Sequence, residues 1–252
     1  YVITQKILLV VFGIGFYYLI GENGILIGIA LAHTHLIIRL IKSIRNSKIN
    51  FNLIKERKKF IFNNFLISIT GTVYGSVDKL LIVPLIGYTV LGNYSLGLQF
   101  YSLLNLLPSM TVKYFVGQDI SKVKNKKLKR IVILISIGIA ILGSTVAPSI
   151  ISSIFPKFID ATDIIRIISW TLVPSTIQAT YYFPKFWAAE KNNIIFVTTI
   201  ITAISQILGI LVLGTVYGAI GVALSMVISN VLGLVFTATV SKFFIKLNSI
   251  NK

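Results

Sequence analysis

Eight apolar stretches, near residues 3–20, 23–41, 60–83, 90–112, 131–155, 163–184, 194–213 and 217–241, follow one another with short connections between them. A hydrocarbon layer takes about 20 apolar residues per helix, and no soluble domain needs so many such segments. The expectation is an all-α membrane protein with eight transmembrane helices. Its 55% hydrophobic content agrees, as does a mean hydropathy of +0.87.

The connections alternate in charge. Lys6 precedes the rest, then Lys42, Arg45, Lys48, Lys55, Arg57, Lys58 and Lys59 cluster in one connection. Lys113, Lys122, Lys124, Lys126, Lys127, Lys129 and Arg130 fill the next, followed by Lys185 and Lys191, and by Lys242, Lys246 and Lys252 in the tail. Those positions hold twenty of the 24 basic residues, whereas the intervening connections 21–24, 84–89, 156–162 and 214–216 hold only Lys157. Lysine and arginine are retained on the cytoplasmic side during insertion, so the pattern predicts a multi-pass protein of the cell membrane with both ends of this chain cytoplasmic. A net charge of +17 would in a soluble protein point to nucleic acid. Here the cations flank helices instead of forming one folded basic face, so they serve topology and attract anionic membrane lipids, and no nucleic-acid partner is expected.

Cysteine is absent, which excludes disulfides and thiol catalysis. The first stretch lacks both an initiator Met and a small-residue cleavage site, so it reads as a span cut short and not as a signal peptide.

An internal repeat is visible in the sequence. Gly21-Glu-Asn-Gly24-Ile-Leu-Ile-Gly28-Ile-Ala30-Leu31 resembles Gly214-Thr-Val-Tyr-Gly218-Ala-Ile-Gly221-Val-Ala223-Leu224, with Gly28 aligned on Gly221 through the shared Gly-x-Ala-Leu. The implied period is six spans, which gives two parallel lobes. Residues 1–42 would then be the last two helices of an N-terminal lobe, 43–59 a cytoplasmic linker, and 60–247 a six-helix C-terminal lobe.

Within the final stretch Gly221, Ser225, Ser229, Gly233 and Thr237 recur every four positions and form a stripe suited to close helix packing, where lipid offers no hydrophobic drive. Pro108, Pro148 and Pro174 interrupt other stretches and predict kinks, because proline removes a backbone donor.

Ionisable groups at membrane depth are costly and face a cavity or a partner. His35 and Arg39 lie one turn apart on one helix face, a cationic pair suited to a phosphate-bearing ligand since guanidinium matches phosphate bidentately. Asn105, Gln178, Tyr181 and Tyr182 form a polar and aromatic set able to line a wet cavity and stack on sugar rings. Asp78 and Lys79 lie toward the outer end of the third span and Arg166 near the outer end of the sixth. His33 and His35, two apart, point to different sides and make a poor metal pair. No His-Glu-x-x-His, phosphate-binding Gly-x-x-x-x-Gly-Lys loop or Gly-x-Ser-x-Gly elbow occurs, so neither enzyme nor cofactor is expected.

Ser76-Val-Asp78-Lys79-Leu-Leu-Ile-Val-Pro-Leu-Ile-Gly87-Tyr-Thr-Val-Leu-Gly92-Asn-Tyr94-Ser-Leu resembles the polysaccharide transporters of the MOP flippase superfamily, the Wzx-like branch. There an aspartate near the end of the seventh helix precedes an apolar run, a glycine, and a Gly-x-Tyr opening the eighth; Asp78, Gly87, Gly92 and Tyr94 occupy those places. Pro156-Lys-Phe-Ile-Asp-Ala161 and Gly218-Ala-Ile-Gly221 extend the resemblance over nearly the whole chain, as family helices five to twelve of a two-lobe, 6+6 helix bundle.

That resemblance implies a flippase that moves polyprenyl-diphosphate-linked oligosaccharide across the cytoplasmic membrane by alternating access, together with other polysaccharide-assembly proteins. Set beside that resemblance, the cationic pair His35 and Arg39 and the polar set Asn105, Gln178 and Tyr181 are expected to bind substrate, and Asp78 and Pro174 to be gating or structural. A drug or metabolite cation antiporter of the related multidrug-extrusion branch is the alternative. It would call for embedded carboxylates, of which only Asp78 lies within an expected span away from its first residue.

Overall fold

The computed structural model describes residues 2–46, 55, 57–121, 125–154 and 156–250. Nearly all of these residues are helical, with no strand among them, and the chain divides into two compact units, Tyr1–Arg57 and Lys58–Lys252.

The first unit is a hairpin of α1 (Val2–Ile20) and α2 (Glu22–Asn46). The second contains α3 (Lys58–Ile86), α4 (Tyr88–Leu104), α5 (Leu106–Ile120) and α6 (Lys126–Ile154). A broken run follows: α7 (Ala161–Ile168), a 3₁₀ turn Ser169–Thr171, α8 (Leu172–Ile177), a π-helical segment Gln178–Tyr182 and α9 (Phe183–Ala188). The chain ends in α10 (Asn192–Gly209), a second π segment Ile210–Gly214, and α11 (Thr215–Ile250), which breaks at Gly218.

Among the described residues three helical runs are long and apolar enough to cross a membrane: Ile61–Ile86, Lys126–Ile154 and Asn192–Phe243. The third passes through Gly218, whose φ of 57° and ψ of −132° fold it back into a hairpin. The other expected spans fall on helices that are shorter, less apolar or interrupted. The stretch expected at 90–112 is two helices joined at Asn105, three residues before Pro108, which has no N–H for the Leu104 carbonyl. The stretch at 163–184 is divided further. Pro174 cannot bond the Trp170 carbonyl, and the chain tightens to 3₁₀ just there.

The packing of the second unit has the polarity a bilayer selects. Leu134, Leu142, Leu208, Val212 and Val235 are exposed, while Ser136, Ser169, Thr171, Thr176, Thr180, Thr198, Ser225, Ser229 and Thr237 are buried. Most of these hydroxyls donate to a carbonyl three or four residues back in their own helix, as Ser169 does to Ile165 and Thr176 to Leu172, each at 2.7 Å. That keeps them satisfied without water. The small-residue stripe of α11 is buried along its length against α10: Ser229 donates to Gln206 Oε1 at 3.4 Å, and Thr198 and Thr237 share a hydrogen bond of 3.2 Å.

Both units contain the same tight hairpin, in a register that differs from the sequence alignment. Gly21 and Gly218 turn the chain with φ of 77° and 57°, a region open to glycine without strain. Three residues on, a Cβ on Gly24 would collide with the Phe16 carbonyl, and one on Gly221 with the Leu213 carbonyl. One turn further, Gly28 meets the Phe12 backbone and Ser225 meets Gly209. Gly24 therefore corresponds to Gly221, one helical turn away from the pairing expected from Gly-x-Ala-Leu. What repeats is distance from the turn to the point of closest helix approach, which the Ala-Leu pair does not determine.

Candidate functional site

The second unit holds an open cavity of about 340 Å³ bordered by α4, α5, α8, the first π segment, α9 and α11. Tyr101, Asn105, Ser175, Gln178 and Asn230 give it polar walls, and Pro108, Val112, Phe183 and Met226 give it apolar ones. None of its lining residues is charged. A hydrogen-bond chain orders one side. Ser175 Oγ donates to Asn230 Oδ1 at 3.3 Å, which leaves it to accept from Tyr101 O–H at 3.0 Å. Gln178 Nε2 reaches the Asn230 carbonyl at 3.5 Å, and Asn230 Nδ2 donates to the Met226 carbonyl at 2.9 Å. Two backbone irregularities open on this cavity: the turn at Asn105, whose side chain caps neither α4 nor α5, and the π segment that begins at Gln178. Single π turns inside helices recur at functional positions.

Two expected substrate residues, Asn105 and Gln178, are thus brought into one cavity. Tyr181 follows on the same π segment but does not line it; its ring faces Lys129 Nζ at 5.7 Å. His35 and Arg39 lie in α2, and their side chains fall outside the described residues. On the same helix His33 Nδ1 donates to the Ile29 carbonyl at 2.8 Å, which leaves Nε2 to accept from Gln5 at 2.7 Å; this tautomer follows from the hydrogen-bond network.

Asp78 and Tyr94, the two most distinctive residues of the motif around α3 and α4, touch each other. Tyr94 O–H donates to Asp78 Oδ2 at 2.9 Å, the Lys79 backbone N–H donates to Oδ1 at 2.8 Å, and Gln206 Nε2 donates to the Tyr94 oxygen at 3.2 Å. The carboxylate is 5% exposed and borders a small cavity of about 60 Å³ with Thr70 and Gln206. Pro174 is buried in α8, beside Ser175 of the larger cavity.

One cluster escaped the sequence reading. Lys129, counted there among the cations of a basic connection, is buried at the start of α6. Its Nζ reaches both oxygens of Asp119 at 3.2 Å and lies 5.1 Å from the Phe115 ring centre. Lys185 on α9 stands close to this pair and donates to Ser241 Oγ at 3.2 Å. Burial lowers its pKa from the usual lysine range; Asp119 opposes that shift and Lys129 adds to it. A lone aspartate among seven cations was the available signal. Arg166 pairs with Asp163 at 3.1 Å with both side chains more than half exposed, an arrangement worth little.

No family model matches the chain, and no curated protein matches it. Among solved structures its fold matches that of the lipid II flippase MurJ in an inward closed conformation, with a TM-score of 0.72 and 18% identity, over 95% of this chain and 54% of that one. The chain therefore spans about half the length of that flippase, and at this identity what it shares with it is the helical fold.

Proposed function

We propose that this chain is the distal part of a MOP-superfamily flippase that moves polyprenyl-diphosphate-linked oligosaccharide across the cytoplasmic membrane for surface polysaccharide assembly. The observation that carries this reading is the likeness of its fold to that of the lipid II flippase MurJ over 95% of the chain. The apolar exterior and polar interior of the second unit support it, as do the expected eight-span topology with cytoplasmic ends and the matching of Asp78, Gly87, Gly92 and Tyr94 to the Wzx-like pattern.

The physics of the task fits such a bundle. A diphosphate and several sugars must cross an apolar layer about 30 Å thick, and exposing them to hydrocarbon is prohibitive. A wet pathway through protein avoids this while the prenyl tail stays in lipid. In this reading Arg39 and His35, at the end of the first lobe, provide positive potential for the diphosphate, and Asn105 and Gln178 meet the glycan. Tyr181 steadies Lys129, and Pro174 shapes the helix behind the cavity. The chain acts as a carrier, without catalysis or a cofactor. Surface-glycan complementation tests it: Arg39→Ala in the full-length gene product abolishes surface glycan at unchanged membrane abundance, and wild-type glycan levels reject the role.

The multidrug-type cation antiporter draws support from one feature, the buried Asp78 carboxylate held by Tyr94. Ion-coupled efflux of an organic cation that is lost in Asp78→Asn, with no movement of lipid-linked sugar, would favour it.

A further inference from the structure

We propose that the cavity between α4, α5, α8 and α11 is a recognition subsite for the uncharged, hydroxyl-rich part of the glycan; the proposal rests on the flippase reading above. Three independent features meet there. The first is chemical. Tyr101, Asn105, Ser175, Gln178 and Asn230 present hydroxyls and carboxamides, which both donate and accept, and no lining residue carries charge. Sugar hydroxyls, which also donate and accept, can exchange water for such groups at little loss. A carboxylate or phosphate entering the same walls would shed its hydration with no cation to replace it.

The second feature is shape. About 340 Å³ lies within the range of small-ligand sites, about 300–1,000 Å³, and Phe183 supplies an apolar face for the C–H side of a sugar ring. The third is backbone. The helix break at Asn105 and the π segment starting at Gln178 both border it, so each carries one of its polar side chains into the same space. The bonds from Tyr101 through Ser175 to Asn230 fix the orientation of that wall before any ligand arrives, which favours selectivity over mere wetting.

The test measures the affinity of the detergent-solubilised full-length protein for three compounds: polyprenyl diphosphate alone, the same carrier with an uncharged N-acetylhexosamine-containing trisaccharide, and the carrier with a trisaccharide bearing a uronic acid. The expected result is tightest binding of the uncharged glycan. The ratio of its affinity to that of the bare carrier falls about tenfold in Asn105→Ala and in Gln178→Ala, the scale of one lost hydrogen bond to a bound ligand. Reading a ratio cancels a general folding defect, and the isosteric Gln178→Glu lowers affinity for the uronic-acid compound further. An unchanged ratio in both alanine variants, or equal affinity for the acidic and uncharged glycans in the wild type, overturns the subsite while leaving the flippase reading intact. Failure of the wild type to bind any of the three overturns both.

Discussion

Replacing Lys129 by methionine tests whether the contact it makes with Asp119 holds α5 to α6. Methionine keeps most of the aliphatic stem over Phe115 and Tyr181 and removes only the charge. Removing one partner of a buried ion pair costs about 3–5 kcal/mol, because the other is left buried and uncompensated. Two features reduce that figure here. The side chains of Lys129 and Asp119 are 11% and 20% exposed, so water reaches the orphaned carboxylate in part, and Lys185 is near enough to attract it. The expected loss is about 2–3 kcal/mol. Replacing both residues, Lys129→Met with Asp119→Leu, restores most of this, since an apolar pair of similar volume is often as stable as the ion pair. The assay is a double-mutant cycle by denaturant unfolding of the solubilised protein, followed by tryptophan fluorescence. A coupling of at least about 2 kcal/mol is expected. A single-variant loss below about 0.5 kcal/mol, or additive single variants, would refute the reasoning, because both outcomes belong to a solvated surface pair.

Further expectations concern other elements. Gly221→Ala drives a methyl into the Leu213 carbonyl and lowers unfolding free energy by about 1–3 kcal/mol, the scale of overpacking, while Gly138→Ala, with nothing within 4 Å of its added carbon, leaves stability equal or raised by up to about 1 kcal/mol; paired thermal melts decide it. Tyr94→Phe strips the buried Asp78 carboxylate of a donor and destabilises by about 1–3 kcal/mol, with a smaller effect when Asp78 is already Asn. Because the chain has no cysteine, single cysteines report sidedness cleanly. Lys126→Cys reacts with a membrane-impermeant maleimide only from the cytoplasmic face and Lys157→Cys only from outside; the opposite pattern refutes the topology.

Much of the fold was legible because a bilayer makes helix boundaries a matter of composition. The stretch at 131–155 maps onto α6 and the pair 194–213 and 217–241 onto α10 and α11, since apolar runs of that length have few other options. The stripe from Gly221 to Thr237 was readable from its spacing of four. Interruptions were readable only as weak points: Pro108 and Pro174 signalled kinks, but not that the chain would turn at Asn105 or adopt π geometry at Gln178, which depend on tertiary packing. The burial of Lys129 was not legible because sequence reports charge and not burial, and its partner Asp119 lies ten residues earlier on the preceding helix. Asn105 and Gln178 share a cavity for reasons of residue type that the sequence displayed, whereas Ser175 and Asn230 looked like ordinary helix residues. They acquire a role only through the contact of α8 with α11.

The most direct measurement of the central claim is transbilayer movement itself. Full-length protein is reconstituted into vesicles with a fluorescent polyprenyl-diphosphate trisaccharide in both leaflets, and a membrane-impermeant reductant bleaches the outer one. Flippase activity predicts that bleaching proceeds beyond the outer-leaflet half toward completion in the presence of the protein, and stops at half with Arg39→Ala. Bleaching that stops at half with the wild-type protein, under conditions where it is folded and inserted, would contradict it.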